Sequence, residues 1–145
     1  MIFNGRIEEL FPIIASWEKE CNGVEMGLDL DWATFIAELQ GLINGEDSDL
    51  LVLRENVGCL GLQVINSPIG RNKIANEHFW YVLPEHRGIA SLRLIREAEN
   101  WAKKKGCSHL ILNASTLASS LHDNVCKLYE RFGMQKFETS YIKVL

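Results

Sequence analysis

No apolar run in this chain approaches the ~18–20 residues that a membrane span requires. None of its four cysteines, Cys21, Cys59, Cys107 and Cys126, stands in a C-x-x-C pair. A zinc site and a thioredoxin-like redox site are therefore not expected. The four histidines, His78, His86, His109 and His122, have no metal-ligand spacing either, so no metal is expected. Basic charge is not in excess: 15 Lys and Arg against 19 Asp and Glu leave a formal net charge of −4. Phosphate neutralisation needs a basic surface, so nucleic acid is not the expected partner. Internal repeats, low-complexity tracts and linkers are also missing. Met1-Ile2-Phe3-Asn4-Gly5 has no basic stretch leading into an apolar one, and Glu8, Glu9, Glu18 and Glu20 follow soon after. A secretory signal is not expected, and the chain reads as cytoplasmic with no membrane partner.

What is present is an ordinary globular composition, 47% apolar and 23% charged over 145 residues. That length suits a single domain, 1–145, with one core. From about Ile7 to Glu20, Ile7, Leu10, Phe11, Ile14 and Trp17 recur at three- and four-residue steps and predict an amphipathic helix, stopped at Asn22-Gly23. A second helix is predicted from about Trp32 to Ile43, with Asp31 as its N-cap and Trp32, Phe35, Ile36, Leu39 and Ile43 on its apolar side.

Strands are predicted at Leu50 to Leu53 and Cys59 to Ile65, joined by a hairpin turn. A third runs from about Ala75 to Val82 and ends at Pro84, which cannot continue a central strand. A long helix then spans about Ile89 to Lys105, terminated by Gly106. The basic run Lys103-Lys104-Lys105 at its end complements the helix dipole. His109 to Leu112 reads as a short strand, Ser119 to Phe132 as a last helix with Ser115, Ser119 and Ser120 as its caps, and Met134 to Leu145 as a terminal strand. The order implies an α/β (α+β) fold, with a mixed, mostly antiparallel sheet and helices on both faces. Cys59, Cys107 and Cys126, set among apolar neighbours, read as core thiols.

The segment Pro84-Glu85-His86-Arg87-Gly88-Ile89-Ala90-Ser91 joins a strand to a helix through a tight turn. Backbone N–H groups at a helix N-terminus have no intrahelical acceptor and meet the positive end of the helix dipole, which makes an anion site. Gly88 and Ala90 lack bulk, and Arg87 adds a positive charge. On the preceding strand, strict alternation puts Glu77, Phe79 and Tyr81 on one face and His78, Trp80 and Val82 on the other. A carboxylate inside an aromatic strand is unusual, and partial burial would raise its pKa, so Glu77 is the candidate general base. His78 is the rival. Cys107 and Cys126 have no basic partner identifiable in the sequence, so no nucleophile is expected.

Three blocks resemble the GNAT superfamily of acyl-CoA-dependent N-acetyltransferases. They are Val82-x-Pro84-Glu85-His86-Arg87-Gly88-Ile89-Ala90, then Leu94-Ile95-x-x-Ala98-Glu99-x-Trp101-Ala102, then Leu128-Tyr129-Glu130-Arg131-Phe132-Gly133-Met134. The likeness runs from Leu50 to the C-terminus. The family's loop reads Gln/Arg-x-x-Gly-x-Gly/Ala. Here either Glu85 stands at its first position, or the loop after Arg87-Gly88 is about two residues shorter.

The resemblance implies acetyl-CoA as acyl donor and a primary amine, on a small molecule or a protein, as acceptor. It implies that the backbone of Trp80, Tyr81 and Val82 receives the pantetheine arm, and that Arg87, Gly88, Ile89, Ala90 and Ser91 hold the pyrophosphate. Tyr129 matches the tyrosine near the thioester sulfur, and His122 stands where the family often has Asn. Glu77 and Tyr129 are thus the expected catalytic pair. The acceptor cleft is expected at the first two helices and their loop, whose Glu25, Asp29 and Asp31 could attract a cationic amine. A noncatalytic acyl-CoA-binding or interaction module on the same fold is the other reading, and a homodimer stays open.

Overall fold

Phe11–Glu20 forms α1, entered through a 3-10 turn at Ile7–Leu10. Pro12 sits in its first turn, where a missing N–H costs no helical hydrogen bond. Trp32–Asn44 forms α2. Its N-cap is the predicted Asp31, whose carboxylate accepts from the Thr34 N–H at 2.9 Å and the Thr34 hydroxyl at 2.5 Å. The apolar stripes of both helices bury Leu10, Ile13, Ile14, Leu39 and Leu42.

This computed structural model describes residues 1–21, 23–115 and 121–145. Four strands follow α2: β1 at Ser48–Val52, β2 at Gly58–Asn66, β3 at Lys73–Val82 and β4 at His109–Ile111. They form one sheet in the order β1-β2-β3-β4, antiparallel except for the parallel pair β3 and β4. Residues Met1 to Phe3 lie along β1, where the Phe3 N–H donates to the Leu50 carbonyl and the Val52 N–H to the Met1 carbonyl. The crossover from β3 to β4 is α3, Ile89–Lys104. His122–Arg131 forms α4.

The sheet carries helices on both faces, as the sequence predicts. α1 and α2 enclose Leu50, Val52, Cys59, Phe79 and Tyr81 on one side. On the other, Leu94, Ala98, Trp101 and Ala102 of α3 pack on Leu51, Leu60, Leu62, Ala75 and Val82. Trp101 pins the end of α3 to β1: its indole N–H donates to Asp49 at 2.8 Å, and Lys105 sits over the ring and 3.7 Å from the same carboxylate. Part of the basic run thus has a tertiary partner as well as the helix dipole.

Two expectations change. Residues 134–145 form no strand, and 135–145 are all exposed. The segment carries Phe137, Tyr141, Ile142, Val144 and Leu145, all exposed, but β4 offers only three paired residues as a template. Among the described residues its Val144 reaches Gly27 in the loop between α1 and α2. The last helix begins at His122, while the expected caps Ser119 and Ser120, and Asn22 after α1, lie outside the described residues.

The strand alternation is also broken. Leu62 pairs with Glu77 but Gly61 pairs with Phe79, so His78 is an extra residue in β3. Gly61 lies on the α2 side, where a Cβ would stand 2.6 Å from Leu42. Gly61→Val should therefore force α2 off the sheet. The expected cost is about 1–3 kcal/mol of unfolding free energy, read from urea titration.

Candidate functional site

β3 and β4 pair only at Ile74–Asn76 with His109–Ile111, then separate. Glu77 fills the point of divergence. Its Oε2 accepts the Asn113 backbone N–H at 2.6 Å, and the Asn113 side-chain amide donates to the Glu77 carbonyl at 3.1 Å. The carboxylate replaces the strand carbonyl that would have continued the ladder. Beyond it, no described strand lies along the β4-facing edge of β3.

Because of the His78 bulge, Glu77 does not share a face with Phe79 and Tyr81, as strict alternation predicts. Its partner Leu62 and its neighbour Ala75 both belong to the α3 side. Glu77 therefore sides with Trp80 and Val82. It is 7% exposed, and burial pushes its carboxyl up to about 7 against the lowering effect of Asn113. Its second oxygen has no hydrogen-bond partner among the described residues. His78, the rival, points outward and is exposed.

Tyr129 closes the opening from α4. Its hydroxyl donates to the Asn113 carbonyl at 2.7 Å, and its ring centroid lies 6.1 Å from that of Trp80. Burial, with the Glu77 charge adding to it, pushes the phenol well above its ordinary value. Glu77, Trp80, Asn113 and Tyr129 thus meet at the split.

At the far end of β3 the chain turns through Pro84–His86 into α3. Gly88 adopts φ 96° and ψ −102°, a conformation that favours glycine, and a Cβ there would meet nothing within 4 Å. No side chain caps the helix. The first intrahelical bond runs from the Leu92 N–H to the Gly88 carbonyl. The N–H groups of Ile89, Ala90 and Ser91 thus lack an intrahelical acceptor. Ile89 is exposed and Ser91 buried.

The Arg87 guanidinium turns the other way. It makes a bidentate pair with Glu20 at the end of α1, at 2.7 and 2.9 Å, and its Nε donates to the Val82 carbonyl. It also lies over the Tyr81 ring. The Tyr81 hydroxyl donates to Glu20 at 2.7 Å and meets Ser16. Of the expected cofactor-contacting residues, Trp80 and Val82 thus have side chains on the α3 side, while those of Tyr81 and Arg87 are held against α1.

A cleft of about 560 Å³ opens on that opposite face, between α1, α2 and their loop. Trp17, Trp32 and Phe35 wall it, and Glu18, Asp29, Asp31 and Glu38 line it without a Lys or Arg. Glu18 accepts the Trp32 indole N–H at 2.6 Å. The aromatic wall continues through Trp17 and Phe35 onto Phe79 of β3, two residues from Glu77 but across the sheet. Asp29 and Asp31, expected at an acceptor cleft, line it; Glu25 does not.

Three participants escape the sequence reading. Asn113 and Glu20 carry no motif. Cys126 does have a basic partner, contrary to expectation: His122, one turn earlier on α4, lies with Nε2 3.6 Å from its Sγ. The i, i+4 spacing was a signal that could have revealed this pair.

The model of the acetyltransferase (GNAT) family matches residues 9–134. No curated protein matches the sequence. Among solved structures, the fold is similar to a ribosomal-protein-alanine N-acetyltransferase from Brucella melitensis biovar Abortus 2308. Identity is 20%, the TM-score is 0.66, and the match covers 96% of this chain and 93% of that one. An aminoglycoside antibiotic 6'-N-acetyltransferase from Acinetobacter haemolyticus is 18% identical with a TM-score of 0.68, covering 100% of this chain and 97% of that one. AAC(6')-Iy, in complex with the bisubstrate analogue CoA-S-monomethyl-acetylneamine, is 13% identical with a TM-score of 0.68, covering 96% and 90%. At these identities the likeness is one of fold.

Glu77 also makes stability depend on pH. Its folded pKa of about 7 lies above the ordinary 4.5, so between those values the folded chain holds a proton that the unfolded chain has released. Stability from this group therefore falls as pH rises through that window, and the burial cost is complete above about 7. Glu77→Gln removes the dependence. From pH 4.5 to 8, its unfolding free energy relative to wild type should rise by on the order of 3 kcal/mol, measured by urea titration at each pH.

Proposed function

Because the chain belongs to the acetyltransferase (GNAT) family, we propose that it transfers an acetyl group from acetyl-CoA to a primary amine, on a small molecule or a protein, by direct attack. The supporting observation is a joint one: an open β3 edge and an uncapped α3 first turn lie side by side, separated only by the turn that Arg87 fastens. A polar strand edge suits the amides of a pantetheine arm, and the uncapped turn suits a pyrophosphate. Acetyl-CoA, when bound there, supplies a thioester carbonyl activated for attack by an amine.

The residues then divide the work. The backbone of Trp80, Tyr81 and Val82 receives the pantetheine arm. Gly88, Ile89, Ala90 and Ser91 hold the phosphates through backbone groups. Arg87, committed to Glu20, contributes by fixing the turn. Glu77 takes the ammonium proton on the oxygen that does not accept from Asn113, directly or through water. With its carboxyl at about 7, it is substantially ionised at neutral pH and still basic enough to act. Tyr129 keeps its proton throughout that range. Its O–H can swing from the Asn113 carbonyl to the departing sulfur and stabilise the thiolate by a hydrogen bond.

The α1–α2 cleft, acidic and aromatic, suits a protonated amine with an apolar body. It lies across the sheet from Trp80 and Tyr129. Donor and acceptor would therefore approach from opposite faces and meet at the split that Glu77 holds open.

Thermal-shift titration is the first test. Acetyl-CoA at a hundred times its Kd should stabilise the protein by about 2.7 kcal/mol, and no shift would overturn the cofactor reading. Stabilisation without thiol release across a panel of amines would favour a noncatalytic acyl-CoA-binding module. With an active acceptor, Glu77→Gln should lower kcat by about 10²-fold or more and abolish the rise in rate toward pH 7. Tyr129→Phe should slow turnover with acetyl-CoA affinity retained. Unchanged rates in both variants would remove these roles and leave the cofactor reading in place.

A further inference from the structure

On α4, His122, Cys126 and Tyr129 are spaced four and three residues apart and stack along one face of the helix. Tyr129 closes the β3–β4 split, and Cys126 is near enough to act electrostatically on its phenol. Exposed Asp123, Asn124, Lys127, Glu130 and Arg131 occupy the solvent side. The His122 and Cys126 side chains are half-buried, with Sγ 3.6 Å from Nε2. The other ring nitrogen of His122, Nδ1, is buried with no hydrogen-bond partner among the described residues. A thiol beside an imidazole, one turn from a tyrosine read as lying near a thioester, has the parts of a nucleophile served by a general base.

We propose that Cys126, deprotonated by His122, is a second acetyl acceptor, so that the protein acetylates its own thiol when no amine is bound. This rests on the acetyl-CoA reading above. Cys126 Sγ attacks the acetyl carbonyl carbon and forms the new S–C bond. The bond from that carbon to the coenzyme sulfur breaks. His122 Nε2 takes the cysteine proton and returns it to the departing thiolate. The products are S-acetyl-Cys126 and free coenzyme A. One thioester replaces another, with no oxidation or reduction and no further reactant.

The other cysteines are internal controls. Cys59 is fully buried, with its thiol pushed up to about 12 by burial, and the Cys107 thiol is also raised by burial. Cys21 is half-buried at the end of α1, where it accepts the Gly23 N–H. None of the three has a histidine within hydrogen-bonding distance among the described residues.

Two measurements test the proposal. Iodoacetamide alkylation, followed by peptide mass mapping without any acyl donor, should modify Cys126 faster than Cys21. His122→Gln should slow the Cys126 reaction by at least about tenfold and leave Cys21 unchanged. Incubation with acetyl-CoA and no amine should then add one acetyl group, mapped to Cys126, absent in Cys126→Ser and slowed in His122→Gln. Acetylation spread equally over Cys21 and Cys126, or indifferent to His122, would overturn the proposal. So would a protein that acetyl-CoA stabilises but does not acetylate, with the parent reading still standing. If acetyl-CoA neither stabilises nor labels the protein, the parent reading falls and this one falls with it.

Discussion

A carboxylate stands where a strand carbonyl would ordinarily stand, and the geometry around it follows. By accepting the Asn113 N–H, Glu77 satisfies a donor that the separation of β3 from β4 would otherwise leave unpaired. The split is therefore a stable feature of the sheet. The same contact fixes Asn113, whose carbonyl receives the Tyr129 hydroxyl and so helps register α4 against the sheet. One buried acid thus sets the width of the opening, the position of its aromatic wall and its own proton affinity.

Charge is arranged differently at the two ends of β3. At the α3 end, the cation expected to face an anion is neutralised by Glu20 and stacked on Tyr81. What remains for an anion is the helix terminus and a glycine with no Cβ. Backbone amides are fixed in direction and need no side-chain ordering, which suits them to a ligand that must be placed accurately. Across the sheet, the α1–α2 cleft has carboxylates and no cation. The two surfaces therefore differ in electrostatic character, and they lie on opposite faces of the sheet.

Most of the architecture was legible because its signals are local. The apolar spacing of α1, α2 and α3, the Asp31 cap and the glycine before α3 each act within a few residues. Of the candidate site residues named from the sequence, Glu77, Trp80 and Tyr129 do converge. Their facing was not legible, because a bulge depends on the register with β2 and leaves no mark in the composition of β3. The diversion of Arg87 was equally hidden, since Glu20 lies 67 residues away in sequence. The terminal strand failed for a different reason. Its residues tolerate extended backbone, but strand formation needs a partner edge, and β4 is too short to provide one.

The extra residue His78 amounts to a parity change written into a strand. Side chains along β3 before it are counted from one face, and those after it from the other. If His78 were taken into regular alternation rather than bulged, a strand continuing in register with Phe79 would carry Glu77 to the face where Trp17, Phe35 and Phe79 stack. A charge would then sit in an aromatic core, and Asn113 would lose its acceptor. A chain that lacked this one residue would keep the acid on the same side of the sheet by plain alternation, and a chain that kept the residue but not the bulge would move it across. Comparison of such chains has to align parity before it aligns residues.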